Sequence, residues 1–175
     1  MGAIDILERM NLLDRIVGLS TLGAALGAGL IAGTFFAFSS FVMPALARLP
    51  AADGVAAMQS INVTVISRAF MAVFLGTAAL SAGLAVAAIV GWSRPGSALG
   101  LAGGLAYLAG TLGVTIAANV PRNDALSRLS PASSEAAAMW PRFVAEWTAY
   151  NHARALAALV ASGLLIGALA LRGRA

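Results

Sequence analysis

The segment WTAYNHAR, residues 147–154, brings four kinds of binding or reactive side chain into two helical turns. In a helix, Trp147, Asn151 and Arg154 share one face at spacing i, i+4, i+7, and His152 lies next to that face. His152 is the only histidine of the chain, and imidazole is the side chain best suited to act as a general base at neutral pH. Guanidinium and amide groups can stabilise a developing oxyanion. This segment is therefore the first candidate for a site of chemistry.

A second polar group lies in GVTIAANVPRND, residues 113–124. Thr115, Asn119 and Asn123 recur at i, i+4, i+8, and Arg122 stands beside them. Such residues either form a hydrogen-bond network that pins two helices together or line a polar pocket, because unpaired polar groups are costly near a bilayer. The sequence leaves both interpretations open. Four more residues lie at the corresponding ends of other apolar stretches: Arg68, Asn62, Phe35 and Phe38.

Composition identifies the class of protein. The chain has 175 residues, of which 60% are hydrophobic and 10% charged, whereas soluble domains average about 25% charged residues. The class is therefore integral membrane, and the net charge of +4 comes from arginines that flank apolar stretches, which argues against a nucleic-acid partner. The absence of cysteine excludes disulfides and thiolate chemistry. One domain, residues 1–175, is expected.

Four apolar stretches are long enough to cross a bilayer, which takes about 20 residues. We predict an all-α fold, a four-helix transmembrane bundle, with spans at residues 16–41, 69–92, 98–119 and 152–171. The tight turn SRPGS joins the second and third spans. The two long connections must then lie on one side of the membrane, where we expect them to form a helical extramembrane cap.

The cap itself carries helix signals. Asp53 is expected to be the N-cap of a helix with a periodic apolar face. Ser130 and Pro131 are expected to be the N-cap and first residue of a second helix. Pro141 is expected to kink or restart that helix before the fourth span.

Arginine positions and glycine spacing bear on topology and association. We expect the bacterial inner membrane with both termini cytoplasmic, because five arginines lie in short segments on that side: Arg9, Arg15, Arg94, Arg172 and Arg174. Gly-x-x-x-Gly pairs begin at Gly23, Gly29 and Gly100 and allow close helix packing. Packing within one chain is favoured, and a homo-oligomer formed through these faces is the alternative.

Three sequence elements together resemble the anthrone oxygenase-like family of small four-span membrane proteins: FFAFSSFVMPAL, NVPRNDAL and WTAYNHAR. The resemblance extends over nearly the whole chain and includes the order of the spans and the two long connections. It implies an oxygenase that converts an anthrone, a tricyclic polyketide, to an anthraquinone with O₂. By matching position, the residues carried over are Asn119, Asn123, Asn151, His152 and Arg154.

The chemistry needs no metal, because the enolate of an anthrone is electron-rich enough to react directly with O₂. We predict His152 as the base, and Arg154 with the asparagines as groups that hold the oxyanion. The substrate-binding set is Trp147, Phe35, Phe38, Arg122 and Arg68. The partners are then a hydrophobic small molecule, O₂ and the lipid bilayer, with no cofactor expected.

Two alternatives remain. His152 could be the axial ligand of a haem, because histidine is a proximal haem ligand and this one lies at a helix end inside an apolar bundle. The chain could also be a non-catalytic membrane module that binds a lipid-like small molecule or a partner protein. Transport is disfavoured, since no acidic residue lies in the middle of a span.

Overall fold

The computed structural model describes residues 3–173, with side chains from residue 12 onward. Within these residues the fold is all-α and consists of five helices. Helix α1 is α-helical over Ala3–Ala37, π-helical over Phe38–Val42 and α-helical again over Met43–Leu46. The others are α2 (Ala51–Thr64), α3 (Arg68–Val90), α4 (Ser97–Ser127) and α5 (Ser134–Arg172).

Four of these helices, all except α2, are long and apolar enough to cross a membrane. Each carries large exposed apolar side chains on its outer face, as at Leu26, Val86, Ile116 and Leu159. Such faces are stable in lipid rather than in water. The chain is thus an integral membrane protein, and the predicted four-helix bundle is confirmed.

The membrane and the orientation stay predictions. Arg174 lies outside the described residues, as does the side chain of Arg9, so the arginine pattern is only partly visible in the structure.

Small residues hold the bundle together from within. Gly27 of α1 faces Thr77 of α3, and a Cβ at Gly104 of α4 would come within 2.7 Å of the Ser81 carbonyl oxygen of α3. Close approach of this kind is what small-x-x-x-small spacing permits in lipid. The chain's own helices therefore occupy these faces, whereas Gly33 has open space beside it, and association between chains stays a prediction.

The predicted cap is formed by α2, the end of α4 and the first turns of α5. Its core contains Met43, Val55, Met58, Leu126 and Trp140. The side chain of Gln59 ties α2 to the α4–α5 connection, because its Nε2 donates to the carbonyl oxygens of residues 126 and 129, each at 2.9 Å. One end of the bundle is thereby closed by packed helix.

Two local predictions in the cap are wrong, and the helix restart expected at Pro141 does not occur, while a kink there stays a prediction. Helix α2 begins at Ala51, so Asp53 lies in its first turn and is not the N-cap. Ser130 and Pro131 lie in a turn, and Ser133 is the N-cap of α5, where its side chain accepts from the Ala136 N–H. Pro141 lies inside a continuous helix. It is tolerated there because it is exposed, so the carbonyl that loses its partner can face solvent.

Candidate functional site

A cavity of about 80 Å³ lies where the cap meets the bundle. All five helices contribute to it, and most of its wall is apolar or aromatic. Its lining residues are Thr34, Phe35, Phe38, Met58, Ile61, Asn62, Val65, Phe70, Phe74, Asn123, Trp147 and Arg154. Concave apolar sites with a few polar groups are the usual form of a small-molecule site.

Arg154 is the charged residue of this wall, and it is 5% exposed. Its Nη2 donates to Asn151 Oδ1 at 2.5 Å and its Nη1 to Thr115 Oγ1 at 3.2 Å. The guanidinium lies over the ring of Phe35, 4.1 Å from the centroid, and 5.2 Å from that of Trp147. Through residues 12–173 no carboxylate pairs with it, and its Nε is enclosed without a hydrogen-bond partner. The site therefore holds a cation with no counterion.

Asn151 fixes that cation in place. Its Nδ2 donates to the Phe35 carbonyl oxygen and to Ser39 Oγ, each at 2.6 Å, so α5 is tied to α1. With both of these acceptors held by the amide nitrogen, the amide oxygen must point at Arg154. Asn151 is fully buried and contributes to the cavity by holding the guanidinium of Arg154 in position.

Asn119 and Asn123 hold Trp147 in place by hydrogen bonds. The indole Nε1 donates to Asn123 Oδ1 at 2.9 Å, and Asn119 Nδ2 donates to the Trp147 carbonyl oxygen at 3.2 Å. These bonds join α4 to α5. They also hold the indole at the cavity, where its ring centroid is 5.9 Å from that of Phe38. The two interpretations of the polar residues are thus compatible, since one network pins the helices and shapes the cavity wall.

π-helical stretches occur beside these contacts. Phe38–Val42 contains Ser39, an acceptor for Asn151, and Thr115–Asn119 contains the Arg154 acceptor Thr115. A third stretch, Ala106–Gly113, precedes it. An extra residue per turn rotates the following side chains around the helix, and π segments are frequent at functional sites. Sequence periodicity did not reveal them.

His152 lies away from this cavity, and the expectation that it shares a pocket with Arg154 is wrong. The side chain is exposed and faces the outside of the bundle, where it borders one groove with Pro44 and another with Gly29 and Gly33. Residues two apart on a helix point about 200° apart, so Arg154 can face inward only if His152 faces outward. Whether His152 takes part in catalysis stays a prediction.

Arg122 and Arg68 also lie outside the cavity wall. Arg122 pairs with Glu146, with Nη2 to Oε2 at 2.9 Å, and stacks on Tyr150 with its Cζ 4.3 Å from the ring centroid. Arg68 is exposed at the first residue of α3. Both fit the ordinary interfacial role of arginine, and whether either contacts a substrate stays a prediction.

Sequence reasoning missed Phe70 and Phe74 of α3. Phe70 and Phe74 stack with ring centroids 5.8 Å apart and form one side of the cavity. Asn62 reaches it from α2. The signal was present, an i, i+4 phenylalanine pair, but its convergence with Arg154 depends on tertiary packing.

The fold and the site define a four-span helical membrane protein with a buried arginine in an aromatic cavity. The chain belongs to the anthrone oxygenase family, whose family model matches residues 66–164. That stretch includes NVPRNDAL and WTAYNHAR, while α2 and the end of α1 lie before it. No curated protein and no solved structure matches the chain.

Proposed function

We propose that the cavity binds the anionic form of a flat, oxygen-bearing aromatic substrate of the anthrone type, and that the chain oxidises it with O₂. The observation that carries this proposal is the guanidinium of Arg154, which is buried in an aromatic wall and has no carboxylate partner among residues 12–173. Burial of an unpaired charge is costly. An enolate or phenolate oxygen would supply the missing negative charge, and the rings of Phe35 and Trp147 would face its aromatic body.

The reaction balances with O₂ as the sole oxidant. Loss of a proton from the substrate methylene gives an enolate, whose oxygen lies against Arg154. The enolate carbon passes an electron to O₂ and the two radicals combine, which forms the C–O bond of a peroxide that takes up a proton. Loss of water then breaks the O–O bond and the remaining C–H bond and leaves a ketone. The methylene and O₂ thus become a carbonyl and water.

The chain's contribution to that sequence is electrostatic. Apart from Arg154, the lining residues carry no ionisable side chain, so the cavity supplies stabilisation of the anion rather than a base. A fixed donor in a water-poor site lowers the pKa of the bound acid, and the proton can leave to water at the cavity's rim. A role for His152 as the base would require the substrate carbon to reach the outer groove.

The cavity must enlarge to hold such a substrate. Its volume of about 80 Å³ is below the roughly 150 Å³ that suffices for benzene in an engineered protein cavity. Asn62, Val65 and Phe70, on α2 and α3, are half-buried members of the wall. Movement at the α2–α3 side would therefore admit a ligand from the bilayer, where an apolar substrate and O₂ are concentrated.

Oxygen consumption by the detergent-purified protein tests the proposal. 1,8-Dihydroxyanthrone, an anthrone with further oxygen functions, added to wild type in a closed cell, should disappear together with O₂ in equimolar amounts, faster than it oxidises spontaneously. Arg154→Met should remove the excess rate, and Arg128→Met, an exposed arginine at the end of α4, should keep it. A wild-type rate equal to the spontaneous rate would refute the oxygenase activity, and the cavity would then be at most a binding site.

The haem alternative has its own supporting observation. The exposed imidazole of His152 borders an apolar groove formed by Gly29, Gly33, Phe36 and Leu159, among others. An imidazole there could act as a single axial ligand. An absorption spectrum before and after dithionite decides this point, after expression with haem supplied. A Soret band that shifts on reduction and is lost in His152→Ala would replace the cofactor-free proposal.

A further inference from the structure

Asn62 stands out among the asparagines that surround the site. Its Nδ2 is enclosed and has no hydrogen-bond partner anywhere in the described part of the chain, although the residue lines the cavity. Asn119, Asn123 and Asn151 all bond to neighbouring helices. Enclosed donors in folded proteins nearly always have a partner, so an exception needs an explanation.

The surroundings of Asn62 do not provide that partner. The other residues that α2 gives to the cavity, Met58, Ile61 and Val65, are apolar and share one helix face with it at i, i+3, i+4 and i+7. A fourth apolar residue would pack there without loss of hydrogen bonding. The amide is therefore unexplained by packing, and it borders the same cavity as Arg154.

We propose that Asn62 is a specificity-determining residue, whose amide donates to a second, neutral oxygen of the ligand. This inference rests on the proposed function, in which Arg154 holds the ionised oxygen of the same molecule. The substrate class is then an aromatic with two oxygen functions: an acidic enol or phenol at Arg154, and a carbonyl, ether or hydroxyl oxygen at Asn62. A hydrocarbon ring with a single acidic hydroxyl would leave the amide unsatisfied.

Such a donor discriminates because of what happens without its acceptor. A site built to hydrogen-bond an oxygen rejects the analogue that lacks it, since the buried donor then stays unpaired. Arg154 sets the requirement for charge, and Asn62 sets the requirement for a second oxygen. The pair would thus distinguish oxygenated polycyclic substrates from simple phenols in the membrane.

The test compares two ligands on the same ring skeleton. 2-Hydroxyanthraquinone has an acidic hydroxyl and distant carbonyl oxygens, and 2-anthrol has the hydroxyl alone. Binding of each to the full-length protein in detergent is measured by quenching of tryptophan fluorescence for wild type, Asn62→Leu and Ser60→Ala. Ser60 is exposed on the same helix and serves as the matched control. The mutant-to-wild-type ratio of Kd for each ligand cancels their different acidities.

We expect Asn62→Leu to raise the Kd of 2-hydroxyanthraquinone by about tenfold, the effect of one buried hydrogen bond. The Kd of 2-anthrol should stay nearly unchanged or fall. Ser60→Ala should change neither. Equal ratios for the two ligands, or no change with either, would overturn the inference, and so would failure of wild type to bind the quinone.

These outcomes are separable from the fate of the oxygenase. If Asn62 discriminates between the ligands but no oxygen is consumed, the binding site is supported and the oxygenase activity is refuted. If wild type accelerates the oxidation of the anthrone but the two Kd ratios are equal, the oxygenase activity is supported and the role of Asn62 is refuted. Asn62→Ala repeats the comparison with a smaller side chain if the leucine variant fails to fold.

Discussion

Replacement of Arg154 by methionine separates the effect of the buried cation on stability from its effect on the oxidation rate. Methionine is unbranched and flexible enough to fill much of the same space, but it carries no charge. The change removes the hydrogen bonds to Asn151 and Thr115 and the cation–aromatic contact with Phe35. It also leaves the Asn151 amide oxygen without that donor.

The stability change follows from opposing contributions. Hydrogen bonds from a charged group contribute about 1.5–3 kcal/mol each, and a cation–aromatic contact contributes about 0.5–2 kcal/mol. Removing a guanidinium from a buried site recovers a desolvation penalty of several kcal/mol. Because Arg154 has two such bonds and no carboxylate among residues 12–173, we expect a net change within about 2 kcal/mol.

Activity should change far more than stability. Loss of one donor to a developing oxyanion costs about 10²–10³-fold in rate, and Arg154 is the charged donor of this cavity. Arg154→Lys keeps the charge but cannot reach both acceptors with a planar fork, so an intermediate rate is expected. Oxygen uptake and thermal melting in the same detergent give both quantities.

The reasoning fails in either of two ways. If Arg154→Met retained more than about a tenth of the wild-type rate, the cation would not be the group that stabilises the anion. If the variant lost its cooperative melting transition, Arg154 would be a structural residue of the network and the loss of activity would be uninformative. A folded and inactive methionine variant beside an active Arg128→Met control supports the proposal.

Further variants test the rest of the site. His152→Ala should leave the oxidation rate nearly unchanged, because the imidazole faces away from the cavity; a loss of the rate without unfolding would restore this residue as the base. Asn123→Ala should lower the rate by about tenfold or more, since the cavity indole loses its hydrogen-bond partner, whereas Arg128→Ala should not, and equal effects in the oxygen assay would argue against this wall as the site. Gly104→Ala should destabilise the bundle by about 1–3 kcal/mol, because its Cβ would meet the carbonyl oxygen of α3 at 2.7 Å. A Cβ at Gly76 would meet open space, so Gly76→Ala should change the free energy of unfolding by less than about 1 kcal/mol. Equal shifts in melting temperature for the two variants would mean that α3 and α4 are not in close contact.

Hydropathy predicts the spans well because each helix must present an apolar face to lipid over about 30 Å. The predicted span at residues 69–92 and the observed helix Arg68–Val90 differ by only one or two residues at each end. The other helices run beyond the bilayer-spanning stretch into the cap, where hydropathy has no such constraint. The N-cap of α5 was misplaced for this reason: serines at 130, 133 and 134 are locally equivalent, and packing selects Ser133.

The site was predictable in part from helical periodicity alone. Trp147, Asn151 and Arg154 do share the buried face that their spacing indicates. The same periodicity places His152 about 100° from Asn151 and about 200° from Arg154, which is outside the buried face. The sequence places Asn62 at the same end of the bundle, but its position in the cavity wall depends on where α2 docks.

An arginine this close to the end of a membrane span would ordinarily extend toward the interface, where its charge is hydrated. Arg154 instead is held inward by Asn151 and Thr115 and lies against the face of Phe35. The asparagine network thus does more than join helices, since without it the cation would have a lower-energy position outside the cavity. Fixed donors that await a negative charge in a water-poor site are the arrangement that stabilises an oxyanion most strongly. Arg154 lies near the end of an apolar span, and its contacts with the neighbouring helices hold its positive charge at the cavity.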